Sequence, residues 1–148
     1  MASARSLAVQ GGFDEGYLLG ACVGIRVGVL IGVFEGAVVG LSTSRSAVDQ
    51  TYGDGDGEME YVERARKLLN RMKVDLRLEV VLGQEYMLED GGWNWDVEDG
   101  VVEERGAEGV AESHPLIKRY SLLVKKWIEV LRVKRLGDDE ESRLMAAT

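Results

Sequence analysis

The chain has 148 residues, 45% of them apolar, and a formal charge of -8. Length and content suit one domain whose core is its own or completed by a partner, while the acidic balance argues against general affinity for nucleic acid or anionic membrane. The one cysteine, Cys22, cannot form an internal disulfide, and no charged start with an apolar core and cleavage site reads as a signal peptide, so a reducing, intracellular setting is expected.

The first predicted element, a helix over residues 4–48, places glycine at every fourth position: Gly12, Gly16, Gly20, Gly24, Gly28, Gly32, Gly36 and Gly40, with Ala4 and Ala8 upstream and Ser44 downstream in phase. An internal glycine costs a helix about 1 kcal/mol relative to alanine, so a helix carrying this repeat needs compensation. A stripe without Cβ atoms supplies it as a groove in which a second helix approaches backbone to backbone, gaining dispersion and Cα–H to carbonyl contacts. Four residues advance an ideal helix by about 400 degrees, so the stripe slips about 40 degrees per step and favours a right-handed crossing. The expected partner-binding set is the eight glycines with Val23, Val27, Leu30 and Phe34.

The segment is apolar on nearly all sides, which suits burial in protein or in lipid. A membrane span is the alternative, since Tyr17 to Leu41 is long enough and G-x-x-x-G packs helices in bilayers. Arg26 and Glu35 oppose it, each costing roughly 2.5 to 3.5 kcal/mol near a bilayer centre, and no lysine or arginine cluster flanks the run. Leu, Val, Ile and Phe between the glycines exclude a flexible linker.

"DQTYGDGDGE" is a turn-rich acidic break. A second helix follows over 58–83, with Val62, Ala65, Leu69, Met72 and Leu76 on one face, Glu60–Arg64 and Glu63–Lys67 as i,i+4 pairs, and Gly83 as the C-terminal cap. Residues 84–112 carry ten acids, one base and five glycines without a sustained period, and are expected to be a mostly mobile insertion. Trp93 and Trp95 in "GGWNWD" could anchor a partner, but large aromatics tend to find buried surface, so one of them is expected to fold back.

The third helix spans 113–137. Ser113 or His114 can cap it, Pro115 suits its first position and Gly137 can close it. Leu116, Tyr120, Leu123, Trp127 and Leu131, with Ile117, Val124 and Ile128, form its apolar face; Lys118, Arg119, Lys125, Lys126, Arg132, Lys134 and Arg135 make the other face basic, against Glu129 alone. Residues 138–148 are an acidic tail. A nucleic-acid module built on 118–135 is a more distant alternative.

The chemistry-bearing residues are sparse. One histidine and one cysteine cannot assemble a tetrahedral metal site, the repeat lacks the G-K-S/T of a phosphate loop, and "DGDGE" lacks a full calcium loop. No catalytic, cofactor-binding or metal-binding residue is expected, and His114 is expected to cap or pack.

"GFDEGYLLGACVGIRVGVLIG" resembles the tenfold G-x-x-x repeat of the Yae and Lto proteins, paired adaptors of cytosolic iron-sulfur protein maturation, and "HPLIKRY" (His114, Pro115, Leu116, Ile117) with Trp127 downstream resembles the C-terminal signature of the Yae member. The resemblance covers the chain outside its loop and tail, and the combination of repeat and "HPLI" is more specific than the repeat alone. Lto proteins typically end in an aromatic residue, whereas this chain ends in Thr148, which favours the Yae side. It departs from fungal members, which usually carry an acidic, tryptophan-containing segment ahead of the repeat, and its 84–112 insertion is longer. The resemblance implies a non-enzymatic adaptor without cofactor that heterodimerises with an Lto-like protein and recruits an iron-sulfur ABC-type ATPase of ribosome recycling to the cytosolic iron-sulfur targeting complex. The expected placement is the cytoplasm, with the nucleus second to it, and the acidic balance leaves neither nucleic acid nor membrane as an expected partner. The expected architecture is therefore all-α, a long glycine-grooved helix and two amphipathic helices completed by a related partner chain.

Overall fold

A computed structural model describes the backbone of residues 4–48 and 56–146, and side-chain surroundings for 16–42 and 60–132. It is all-α, in the order α1 (Ala4–Val48), α2 (Asp56–Asp75), α3 (Leu78–Val81), α4 (Val101–Glu112) and α5 (Pro115–Ala146), with no strand among the described residues. The expected break before the second helix falls largely on 49–55, outside the described residues.

Helix α1 is the spine, about 68 Å long from its residue count. Its positions Leu19, Val23, Val27, Phe34 and Val38 recur near a period of 3.6, stay on one side and are buried against the other helices. Opposite them in the core stand Ala65, Leu69 and Met72 of α2, Leu76 just after it, Val81 of α3, Val110 and Ala111 of α4, and Ile117, Tyr120 and Val124 of α5. Lys73 reaches Glu35 at 2.6 Å and Arg26 pairs with Glu112, so both charges inside the apolar run of α1 are matched by neighbouring helices.

The expected helix over 58–83 is two helices. Leu76 still donates its amide to the Met72 carbonyl, but Arg77 is extended (φ -60, ψ 142) and α3 restarts at Leu78. No glycine or proline marks the break, because tertiary packing causes it: the turn sets Val81 in the core and brings the Leu78 and Leu82 side chains against the Gly24 and Gly20 side of α1. Gly83 follows α3 as expected, for reasons of space. A Cβ there would stand 2.8 Å from the Glu79 carbonyl oxygen.

Residues 84–112 differ most from expectation, being a folded part of the body. Met87 and Trp93 form an antiparallel bridge, Leu88 donates to the Gly92 carbonyl at 2.9 Å, and Gly91 turns the chain with φ 85. Gly91 lies so near α1 that a Cβ on Gly16 would be 3.5 Å from its Cα, two glycine backbones in close approach. Helix α4 then packs on α1, kinked at Gly106 (φ 56, ψ -140) and started by Gly100 in the left-handed region. Glu103 and Glu104 in its first turn suit the positive end of the helix dipole. The acids that suggested disorder face water, while Trp93, Trp95, Val97 and Val110 supply the apolar side.

Gly109 lets α4 fold tightly on itself across the kink, since a Cβ there would lie 2.5 Å from Val101 Cγ1 and 2.8 Å from Arg105 Cβ of the same helix. Gly109→Ala is therefore expected to lose about 1 to 3 kcal/mol of unfolding free energy through overpacking, read by urea denaturation of the full chain.

Helix α5 starts where its punctuation predicted, but does not stop at Gly137; it runs to Ala146. One glycine costs only about 1 kcal/mol, and the following residues include the helix formers Glu140, Glu141, Arg143, Leu144, Met145 and Ala146. The expected tail is thus helical to residue 146, with 147–148 outside the described residues.

Candidate functional site

Two constellations stand out, the outward side of α1 and the packing around His114. The glycine stripe does what its period dictates. Gly16, Gly20 and Gly24 lie toward the body, near Gly91, Leu82 and Leu78. At about 40 degrees per step the later glycines leave that side, and a Cβ at Gly28, Gly32 or Gly36 would have, beyond its own helix backbone, no heavy atom of a described residue within 4 Å. Around these open positions Ile25 is 65% exposed, Val29 55% and Val33 49%. Tyr17 and Leu18, toward the N-terminal end, are also exposed. Gly40 has open space as well, and Gly12 lies in α1 but outside the residues whose surroundings are described.

The expected companions of the glycines are corrected. Val23, Val27 and Phe34 are buried in the chain's own core and Leu30 is half-buried beside it, so none forms the outward face. Their spacing follows the helical repeat of 3.6 while the glycines follow 4.0, and the two sets diverge along the helix. Sequence reasoning missed Ile25, Val29 and Val33 for that reason; carrying the slip one residue at a time finds them.

The C-terminal signature is a structural joint. His114 is fully buried; its Nε2 lies 3.0 Å from the Val81 carbonyl oxygen and its Nδ1 accepts the Leu116 amide at 3.2 Å. The Leu116 contact makes His114 the N-cap of α5, with Pro115 at the first position, and an accepting Nδ1 leaves Nε2 to carry the proton donated to Val81. Ser113 instead ends α4, its Oγ donating to the Gly109 carbonyl at 2.9 Å. The rings of Tyr86 and Trp95 stand 4.4 and 4.7 Å from the imidazole, and Trp95 Nε1 donates to the Val110 carbonyl at 3.0 Å. Burial holds the imidazole below its ordinary range, favouring the neutral form. Ile117 is buried, Leu116 and Trp127 half-buried, all on the core side of α5.

Other ionisable groups serve packing. The Arg105 hydrogen bond holds the Glu112 carboxyl below its usual range, with Arg26 adding to it. Tyr120 donates to Asp75, joining α5 to α2, and its phenol is raised by burial and by that partner. Cys22 is half-buried beside the core, and no group of His, Cys, Asp and Glu able to hold a metal occurs among the described residues.

These features define a class: a small all-α protein whose longest helix keeps a glycine-grooved, apolar side in solvent. The chain is 31% identical over 84 residues to Protein YAE1 of Phaeosphaeria nodorum (strain SN15), a stretch that is 53% of this chain and 38% of that protein. The chain thus spans well under half the length of the curated relative it matches, and the similarity to a Yae protein is in line with the resemblance of the repeat and the "HPLI" signature. No family model matches the chain, and no solved structure matches significantly.

Proposed function

We propose that the chain is a non-enzymatic adaptor whose α1 packs against a glycine-repeat helix of an Lto-like partner, the pair recruiting an iron-sulfur ABC-type ATPase to the cytosolic iron-sulfur targeting complex, in the cytoplasm and the nucleus. One observation carries the interaction: a Cβ at Gly28, Gly32 or Gly36 would meet no other side chain or helix within 4 Å among the described residues, while Ile25, Val29 and Val33 beside them are exposed to water. Relative to alanine those three glycines cost the free helix roughly 2 to 3 kcal/mol, and no close packing among the described residues offsets it. A partner helix crossing there would supply the missing contacts. The similarity to a Yae protein supports the pathway.

Co-expression with an Lto-like partner is expected to give a helical one-to-one complex by size-exclusion chromatography with light scattering. Failure to associate would remove the heterodimer. The second reading, a membrane protein, has one observation in its favour: residues Gly16–Ser42 are long and apolar enough to cross a bilayer. Against it, Arg26 and Glu35 in that stretch are ion-paired to α4 and α2, which a bilayer would have to displace. Resistance to carbonate extraction would favour it.

A further inference from the structure

The outward side of α5 carries a second surface that the α1 interface leaves unused. Leu122 is 61% exposed, the most exposed large apolar side chain described on α5. On a helix its surface neighbours are the residues three and four positions away. Here those are Lys118, Arg119, Lys125 and Lys126, four cations around one leucine. All four are exposed, and none forms an ion pair among the described residues; Arg119 lies 5.9 Å over the Tyr120 ring. Glu129 sits one turn beyond, followed by Arg132 on the same side.

We propose that this face docks an acidic peptide of a partner protein, with an apolar side chain of the peptide seated on Leu122 and its carboxylates on Lys118, Arg119, Lys125 and Lys126. An apolar contact inside a charged rim is the arrangement in which binding energy concentrates, and opposite charge steers encounter and fixes register. Charge complementarity selects the occupant. The chain as a whole carries -8, so a long polyanion such as RNA is repelled outside this patch, and a phosphate backbone makes no use of the leucine. An anionic membrane needs a continuous apolar stripe on the exposed side, whereas Ile117, Tyr120, Val124 and Leu131 of α5 are committed to the core. The inference is independent of what covers α1.

The test uses the full chain and a fluorescein-labelled peptide of glutamates interrupted by leucines, read by fluorescence anisotropy. A leucine-free glutamate peptide, single-stranded RNA and anionic lipid vesicles are the competing probes. The leucine-containing peptide is expected to bind best, and Leu122→Asp or the Lys118→Glu/Lys125→Glu double substitution to weaken it about tenfold. Both sites are exposed, so the circular dichroism spectrum should not change; if it does, Leu122→Ser with Lys118→Gln replaces them and the same loss is expected. Binding indifferent to these substitutions, no binding, or preference for RNA or vesicles through the same residues would overturn the proposal.

Discussion

Gly32→Leu is expected to abolish co-purification with an Lto-like partner while leaving the chain's own fold intact. Gly32 has open space about its Cβ direction, no other described residue's heavy atom lying within 4 Å of a Cβ placed there, its own helix backbone aside. A helix approaching backbone to backbone meets the whole side chain, and losing that approach should weaken binding by at least a hundredfold, about 3 kcal/mol. Gly32→Ala separates the two roles. It should raise the unfolding free energy of the free chain by about 0.5 to 1 kcal/mol, because alanine is the better helix former, while weakening the complex. Opposite signs for stability and binding, measured by denaturation and by titration with the partner, identify an interface glycine. Stabilisation with undiminished binding would mean that the open stripe is no contact surface. Gly24→Leu is less informative, because a Cβ there already lies 3.9 Å from Leu78 Cδ2.

The second large effect falls on His114. His114→Ala removes the cap of α5, leaves the Val81 carbonyl without its donor and opens space between Tyr86 and Trp95. These losses sum to about 3 kcal/mol or more, a fall of roughly 10 °C in Tm for a domain of this size. The same residue makes stability depend on pH. The unfolded chain protonates its histidine near the ordinary value of 6.5, whereas the folded chain resists until a lower pH. The unfolded state therefore binds more protons below that value, so the stability His114 confers is present above pH 6.5 and drains away as pH falls. Glu112 acts in the same direction in a separate, more acid window, below its ordinary value of 4.5. Urea denaturation across pH 5 to 8 should show the histidine step in the parent and not in His114→Ala; equal slopes in both would refute the assignment.

Much of the fold was legible because local pattern and global packing agree in α2 and at the start of α5. Of the predicted α2 face, Ala65, Leu69, Met72 and Leu76 are buried and only Val62 is half-exposed. The His114–Pro115 start of α5 carries its cap and its restricted first residue in adjacent letters. The break at Arg77 was not legible, since it answers to Val81 and His114 across the core rather than to a local breaker. Residues 84–112 misled through composition: the acids dominate any count, but Trp93, Trp95 and Val110 are spaced to reach one surface once Gly91, Gly100 and Gly106 bend the chain. In the candidate site, the glycines were visible and their flank was not, because two periods as close as 3.6 and 4.0 look alike over two turns and separate over seven.

The water-facing side of α1 also bears on how many copies of the chain a cell can keep. A single copy without a cover displays Ile25, Val29 and Val33 together, the kind of surface that chaperones and proteases recognise. Covering it both hides that surface and, by mass action, stabilises the folded state. Abundance would then follow that of whatever covers the helix, and surplus copies would be cleared rather than accumulate, so the same glycines that form a groove would also enforce stoichiometry.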